Sequence, residues 1–181
     1  MVMHLLLLSM LPVLAQAAPT SLRKPTLLHA NSTSKVITDQ NSALNVHNQP
    51  LGFCSTSGSA MTGFTRDGRC ADVGPADQGA HHICIQMPSN NNFCTVTGQP
   101  NWCSQHMPCH DGFPDGGDCP IENWCVCQWA FARYIQMAGG CDSIDTVHCD
   151  ATNLAAVQAY QGSSDATHQA ALACLQAKCG I

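Results

Sequence analysis

This sequence predicts a small α+β domain stapled by disulfides, on three observations. The run His82–Met87 alternates with period two inside a loop-rich N-terminal half, the pattern of a short strand. Helical spacing governs the C-terminal half. Thirteen cysteines are spread through 181 residues, all after residue 53, a density that reads as a disulfide framework in an oxidising compartment. Short strands among loops, followed by helices, place the chain in the α+β class as a single domain.

The elements follow in chain order. Residues 54–80 are rich in Gly, Ser, Asp and Pro and read as turns, with Asp67-Gly68 a tight-turn pair. In the strand, Ile83, Ile85 and Met87 share one face. Residues 88–123 read as loop, held by Cys94, Cys103, Cys109 and Cys119. From about Cys125 to Ala138, Val126, Trp129, Ala130, Tyr134, Met137 and Ala138 recur at helical spacing, and Gly139-Gly140 supplies a stop. Asp150 or Thr152 is expected to cap a second helix running to about Tyr160 and ended by Gly162. Ser164-Asp165 is expected to cap a third over 165–178, closing at Cys179-Gly180.

The N-terminus reads as a targeting segment. Met1–Ala17 holds the apolar stretches Leu5–Leu8 and Met10–Leu14 and ends in Ala15-Gln16-Ala17, a small-x-small cleavage pattern. The stretch is shorter than the ~20 residues that a membrane span requires, and no later segment is long and apolar enough. The chain is therefore expected to be secreted, with no membrane span. Residues 18–44, rich in Ser, Thr, Asn and Pro, read as a flexible linker or prosegment, and Asn31-Ser32-Thr33 is a glycosylation sequon on Asn31. The globular domain is expected over 45–160, with a helical extension over 161–181.

Composition narrows the partners. Charged residues make up 10% of the chain and hydrophobic ones 45%, which is not the balance of a disordered protein. The net charge is -5, and no Lys or Arg stands between Arg69 and Arg133. A nucleic-acid surface needs clustered basic residues, so that class is excluded. The partner is expected to be an extracellular protein or a small ligand. No Gly-rich phosphate loop, nucleophile elbow or H-E-x-x-H helix occurs, and no complete catalytic motif favours an enzyme.

Several segments carry a family likeness: Asn45-Val46, Leu51, Cys54-Ser55, Thr62-Gly63-Phe64, Arg66-Asp67-Gly68, Cys70, Asp77, Gly79, His81, Cys84, Phe113-Pro114, Trp124-Cys125-Val126-Cys127 and Ala151-Thr152-Asn153. In that order they resemble the domain-of-unknown-function family 2237 over about residues 45–160. The family has no established activity, so the resemblance implies no chemistry. This chain departs from the family pattern at His47-Asn48, in a longer spacer before Thr62, and at Ala130-Phe131, where the pattern has Arg-Trp. The resemblance divides the cysteines. Cys54, Cys70, Cys84, Cys125 and Cys127 fall on family positions, and the other eight are additions. The eight are expected to pair among themselves as four bridges, leaving the five as an older cluster. An odd total leaves at least one thiol outside any intramolecular bridge.

Four groups of residues could carry chemistry. Cys125 and Cys127, at an expected helix N-terminus, suit a redox or nucleophilic thiol, assisted by His81 and Arg66; a structural bridge or packed thiol is the plainer alternative. His81, Cys84, Cys125 and Cys127 supply zinc-type ligands, although zinc is not required and no cofactor is expected. Asp111, Asp115 and Asp118 lie in a Gly-rich acidic loop whose oxygens would suit calcium; turn formation accounts for them equally. Thr62, Arg66, Asp67 and Asp77 are ligand-binding candidates: Arg66 could meet an anion bidentately, and Asp67 or His81 could handle a proton. Alternatively, Arg66 and Asp67 brace their turn as an ion pair.

Overall fold

In a computed structural model of the chain, residues 44–110 and 117–181 are described. The elements are β1 (Ile83–Gln86), α1 (Phe93–Thr97), β2 (His106–Pro108), β3 (Asp118–Pro120), β4 (Asn123–Val126), α2 (Gln128–Met137), α3 (Leu154–Gln161) and α4 (Ala166–Cys179). This is the predicted α+β arrangement, with the short α1 among the strands and the three longer helices after them.

The β1–β4 ladder organises the domain. It is antiparallel, with Ile83 opposite Val126, Cys84 opposite Cys125 and Ile85 opposite Trp124. Successive side chains on a strand point to opposite faces. Ile83, Ile85, Trp124 and Val126 therefore enter the main apolar core with Phe93, Phe131, Tyr134 and Tyr160. Cys84 and Cys125 turn to the other face and meet Cys54, Cys70 and Ala151 in a second buried cluster. The two-faced burial explains why a strand of such short length is secure.

The helix expected from Cys125 starts instead at Gln128, because Cys125 is committed to the β4 ladder. Gly139 and Gly140, at φ 98° and 109°, end it as expected, since a residue with a Cβ is strained there. The second helix is capped by Asn153 rather than Asp150 or Thr152: its side chain accepts from the Ala155 N–H at 2.9 Å. Asp165 caps α4, accepting from Thr167 and His168. The loop expected over 88–123 contains α1 and a small β2–β3 hairpin.

Six bridges staple the described residues: Cys54–Cys84, Cys70–Cys125, Cys94–Cys103, Cys109–Cys119, Cys141–Cys174 and Cys149–Cys179. No bridge joins a family-position cysteine to an added one, as the division of the cysteines predicts. Cys127 is left free. Two bridges tie α4 to the segment 141–149, and Ala171, Leu172, Cys174 and Leu175 of α4 are buried in the main core. The segment expected as an extension thus shares the core of the rest. No helix among the described residues is long and apolar enough to cross a membrane. Met1–Ala17 and Asn31 lie outside the described residues.

Candidate functional site

The site is assembled from three segments that meet beside β4. The first is the turn 62–69. Its backbone closes through Gly68 N–H to Thr62 C=O at 2.9 Å and Arg66 N–H to Gly63 C=O at 3.1 Å. Gly63 has φ 90°, and a Cβ on it would sit 2.3 Å from the Arg69 carbonyl oxygen, so only glycine fits. The fully buried Thr62 clamps this turn to the strand: its Oγ1 accepts the Cys125 N–H at 2.8 Å. Arg66 itself takes a left-handed φ of 56°, and its guanidinium carbon lies 4.8 Å from the centre of the Trp124 ring. That is cation–π range. Burial pulls the Arg66 pKa below its ordinary value, though a guanidinium stays charged.

The second segment is Asp77–His81. The Asp77 carboxylate accepts the His81 backbone N–H at Oδ2 (2.8 Å) and lies 2.7 Å from His81 Nδ1 at Oδ1. Its side chain is only 2% exposed. Burial alone would raise the Asp77 pKa, but the hydrogen bonds from His81 and the charges of His81 and His82 outweigh it, and the pKa lies below the usual value. An ionised carboxylate only accepts, so the ring proton sits on Nδ1 and His81 Nε2 remains for another partner. Gly79 makes room for the ring, since a Cβ there would lie 2.6 Å from His81 Cε1. The Phe64 ring stacks over His81, with centres 6.2 Å apart.

The third segment is the junction of β4 and α2. The Gln128 N–H donates to the Ala80 carbonyl at 2.9 Å, which ties the start of α2 to the loop that holds His81. Cys127 stands at this junction as the N-cap residue of α2. Burial pushes its thiol pKa up and the Asp77 charge adds to that, while the backbone amides of Ala130 and Trp129 pull it down; the net direction is upward.

These segments enclose a pocket of about 180 Å³, lined by Arg66, His81, Trp102, Met107, Trp124 and Cys127 among others. An adjoining hollow of about 230 Å³ shares Arg66, His81 and Trp124 and adds Gly63 and Phe64. No acidic side chain lines either one among the described residues.

The candidates from sequence are therefore placed unevenly. Arg66, His81, Cys125 and Cys127 line one pocket. Thr62 and Asp77 stand behind it as positioning residues. Asp67 turns to its own loop, accepting the Arg69 N–H at 3.1 Å. The expected Arg66–Asp67 ion pair is replaced: among the described residues the close acid–base pairs are Asp77–His81 and Asp72–His82. The sulfurs of Cys84 and Cys125 are bonded to Cys54 and Cys70, so of the four expected zinc ligands only His81 and Cys127 are uncommitted. A different set, Cys54, Cys70 and Cys125, has its sulfurs within 4.8 Å of one another, but each belongs to a bridge. Asp118 lies exposed on β3, and Asp111 and Asp115 lie outside the described residues. Trp102 and Trp124 as pocket walls were missed by sequence reasoning. An Asp-x-x-x-His spacing interrupted by Gly79 was the signal for the Asp77–His81 pair.

Fold and site together define a disulfide-stapled α+β domain with a polar pocket beside β4 walled by tryptophan. The chain belongs to the family described as an uncharacterized protein conserved in bacteria, domain-of-unknown-function family 2237, whose model matches residues 44–178. No curated protein matches the chain.

Proposed function

We propose that this domain binds a small molecule bearing an anionic group in the pocket beside β4, in a non-catalytic role. The observation that carries the reading is the convergence of Arg66 and His81, from two separate loops, on one pocket without a lining acid among the described residues. Asp77 is engaged in orienting His81, which leaves Arg66 free to meet a carboxylate or phosphate through paired N–H donors. Trp102 and Trp124 supply flat apolar walls, the usual complement to a few placed polar groups in a ligand pocket.

Titration followed by tryptophan fluorescence tests this. The panel is acetate, propionate, inorganic phosphate and sulfate, at constant ionic strength. Saturable quenching by at least one anion is expected, weakened about 10-fold or more in Arg66→Ala, roughly the loss of one charge-assisted contact. No saturable response from the wild-type protein, or an Arg66→Ala variant that binds equally well, would overturn the reading.

The proposed place of action is outside the cell. Six bridges suit an oxidising compartment, and Met1–Ala17 has the pattern of a cleaved leader. Expression in a secreting host should release into the medium a protein whose N-terminus begins at Ala18. Retention in the cell with Met1 intact is the opposing result.

A further inference from the structure

We infer that Cys127 is the reactive group of this pocket and exchanges with small disulfides that carry a carboxylate. The inference rests on the anion-binding reading of the same pocket and adds a covalent step to it.

A constellation supports this rather than the thiol alone. Among the described residues Cys127 is the cysteine left outside the six bridges, and it is half-buried rather than sealed in the core. It lines the pocket that Arg66 and His81 line. The Gln128–Ala80 backbone bond of 2.9 Å joins the residue after Cys127 to the residue before His81, which fixes the two side chains' loops against each other. Asp77 holds the His81 ring by Nδ1, so that in the neutral ring Nε2 is the acceptor. Nucleophile, oriented base and anion-binding guanidinium are the parts that activated-thiol chemistry needs. Burial keeps the Cys127 thiol protonated at neutral pH, so a neighbouring base is required before it can attack.

The step balances without any further reactant. Cys127 and His81 line the same pocket without a direct bond between them, so the Cys127 Sγ–H proton passes to His81 Nε2 through solvent in the pocket. The thiolate attacks one sulfur of the small disulfide; the new Sγ–S bond forms as the old S–S bond breaks. The departing thiolate takes the proton from His81 Nε2. The products are a mixed disulfide on Cys127 and one small thiol: Cys127 is oxidised as the departing sulfur is reduced. Arg66 selects a half that bears a carboxylate, and the limited volume of the pocket selects a short one.

Two probes of similar length and opposite charge test the inference on the native, full-length protein: 3,3′-dithiodipropionate and cystamine. Adducts are counted by intact mass and located by peptide mapping. One adduct at Cys127 is expected, forming at least 10-fold faster with the dipropionate than with cystamine. In Arg66→Ala that ratio should fall towards one, and His81→Gln should slow both probes. In denaturant the two probes should react alike. An adduct that forms only in denaturant marks a packed thiol and overturns the inference, as does an adduct at a bridge cysteine. Equal wild-type rates for the two probes also overturn it, and need no variant that must fold. Propionate, which cannot exchange, separates the two readings: saturable propionate binding without a dipropionate adduct sinks the exchange alone, whereas no adduct together with no saturable response to any of the four anions sinks the anion site as well.

Discussion

The Asp77 carboxylate holds His81 at two points, the backbone N–H at 2.8 Å and ring Nδ1 at 2.7 Å. One buried acid thus fixes both the loop that carries the histidine and the direction of its ring. This grip sets the position of a polar wall of the pocket whose side chain is 36% exposed.

The grip should be visible as a pH dependence of stability. The Asp77 pKa is lower in the folded chain than in the unfolded one. Its stabilising contribution is therefore present above the ordinary carboxylate range, near 3.8, and is lost as pH falls through the depressed folded value. Asp77→Asn should lower stability by about 1.5–3 kcal/mol at pH 6, the range for hydrogen bonds to a charged group. The gap between wild type and variant should narrow as pH falls below 4. Urea midpoints at pH 6 and pH 3 check this; a gap that widens on acidification would contradict it.

Thr62 makes the second prediction. It is fully buried, its Oγ1 accepts from Cys125 and its own N–H donates to Ser55 Oγ at 2.8 Å. Thr62→Val keeps the shape but orphans the Cys125 N–H, which costs about 1–3 kcal/mol for a buried group. Thr62→Ser retains the hydroxyl and should lose less. If the order of the two variants in a urea titration is reversed, packing rather than the hydrogen bond is what Thr62 supplies.

These two residues also show what could be read from the sequence. Arg66, Asp77, His81 and Cys127 could each be singled out by type and setting, because glycines and turns mark the loops that hold them. Their convergence could not. It depends on Thr62 reaching Cys125 and on Ala80 reaching Gln128, contacts across roughly half the domain that no local period encodes. The three longer helices were legible from spacing and from Gly139, Asp165 and Gly180 at their ends. Strand β4 was not, since Val126 and Trp129 continue the helical spacing of α2 backwards and only pairing with β1 decides otherwise. The β2–β3 hairpin has three-residue strands that contain Pro108 and Pro120, below what alternation can signal.

Tyr160 anchors α3 beneath the pocket. Its hydroxyl, fully buried, donates to the Gln128 carbonyl in the first turn of α2. Burial pushes its pKa far up, and the neighbouring Cys127 adds to this, so it remains a donor at any working pH. Tyr160→Phe removes this bond while the Gln128 carbonyl keeps its place in the α2 ladder, and should destabilise by about 0.5–1.5 kcal/mol. Thermal melts of the two proteins at pH 7 give the comparison; equal midpoints would mean that the carbonyl finds water instead.

The bridges should differ in what they contribute, and loop length sets the order. In the chain-entropy account, a bridge stabilises by restricting the unfolded chain, and more so for a longer loop. Cys149–Cys179 spans a separation of 30 residues and Cys94–Cys103 only 9. The same relation gives roughly 3.7 kcal/mol for the first and roughly 2.7 for the second. Replacing both cysteines of a bridge by Ala should thus cost more at 149/179 than at 94/103, by about 1 kcal/mol. The location of the damage should differ too. Without Cys149–Cys179, α4 keeps Cys141–Cys174 and its buried Leu172 and Leu175, so hydrogen exchange should quicken near its C-terminal turn and not near Asp165. Without Cys94–Cys103, the loosening should centre on α1 and the loop to Trp102, a pocket wall, and weaken anion binding. Urea titration of both double variants, with propionate affinity measured alongside, tests order and location together. A larger loss of stability at 94/103 would show that packing around Phe93 and Trp102 outweighs chain entropy in this domain.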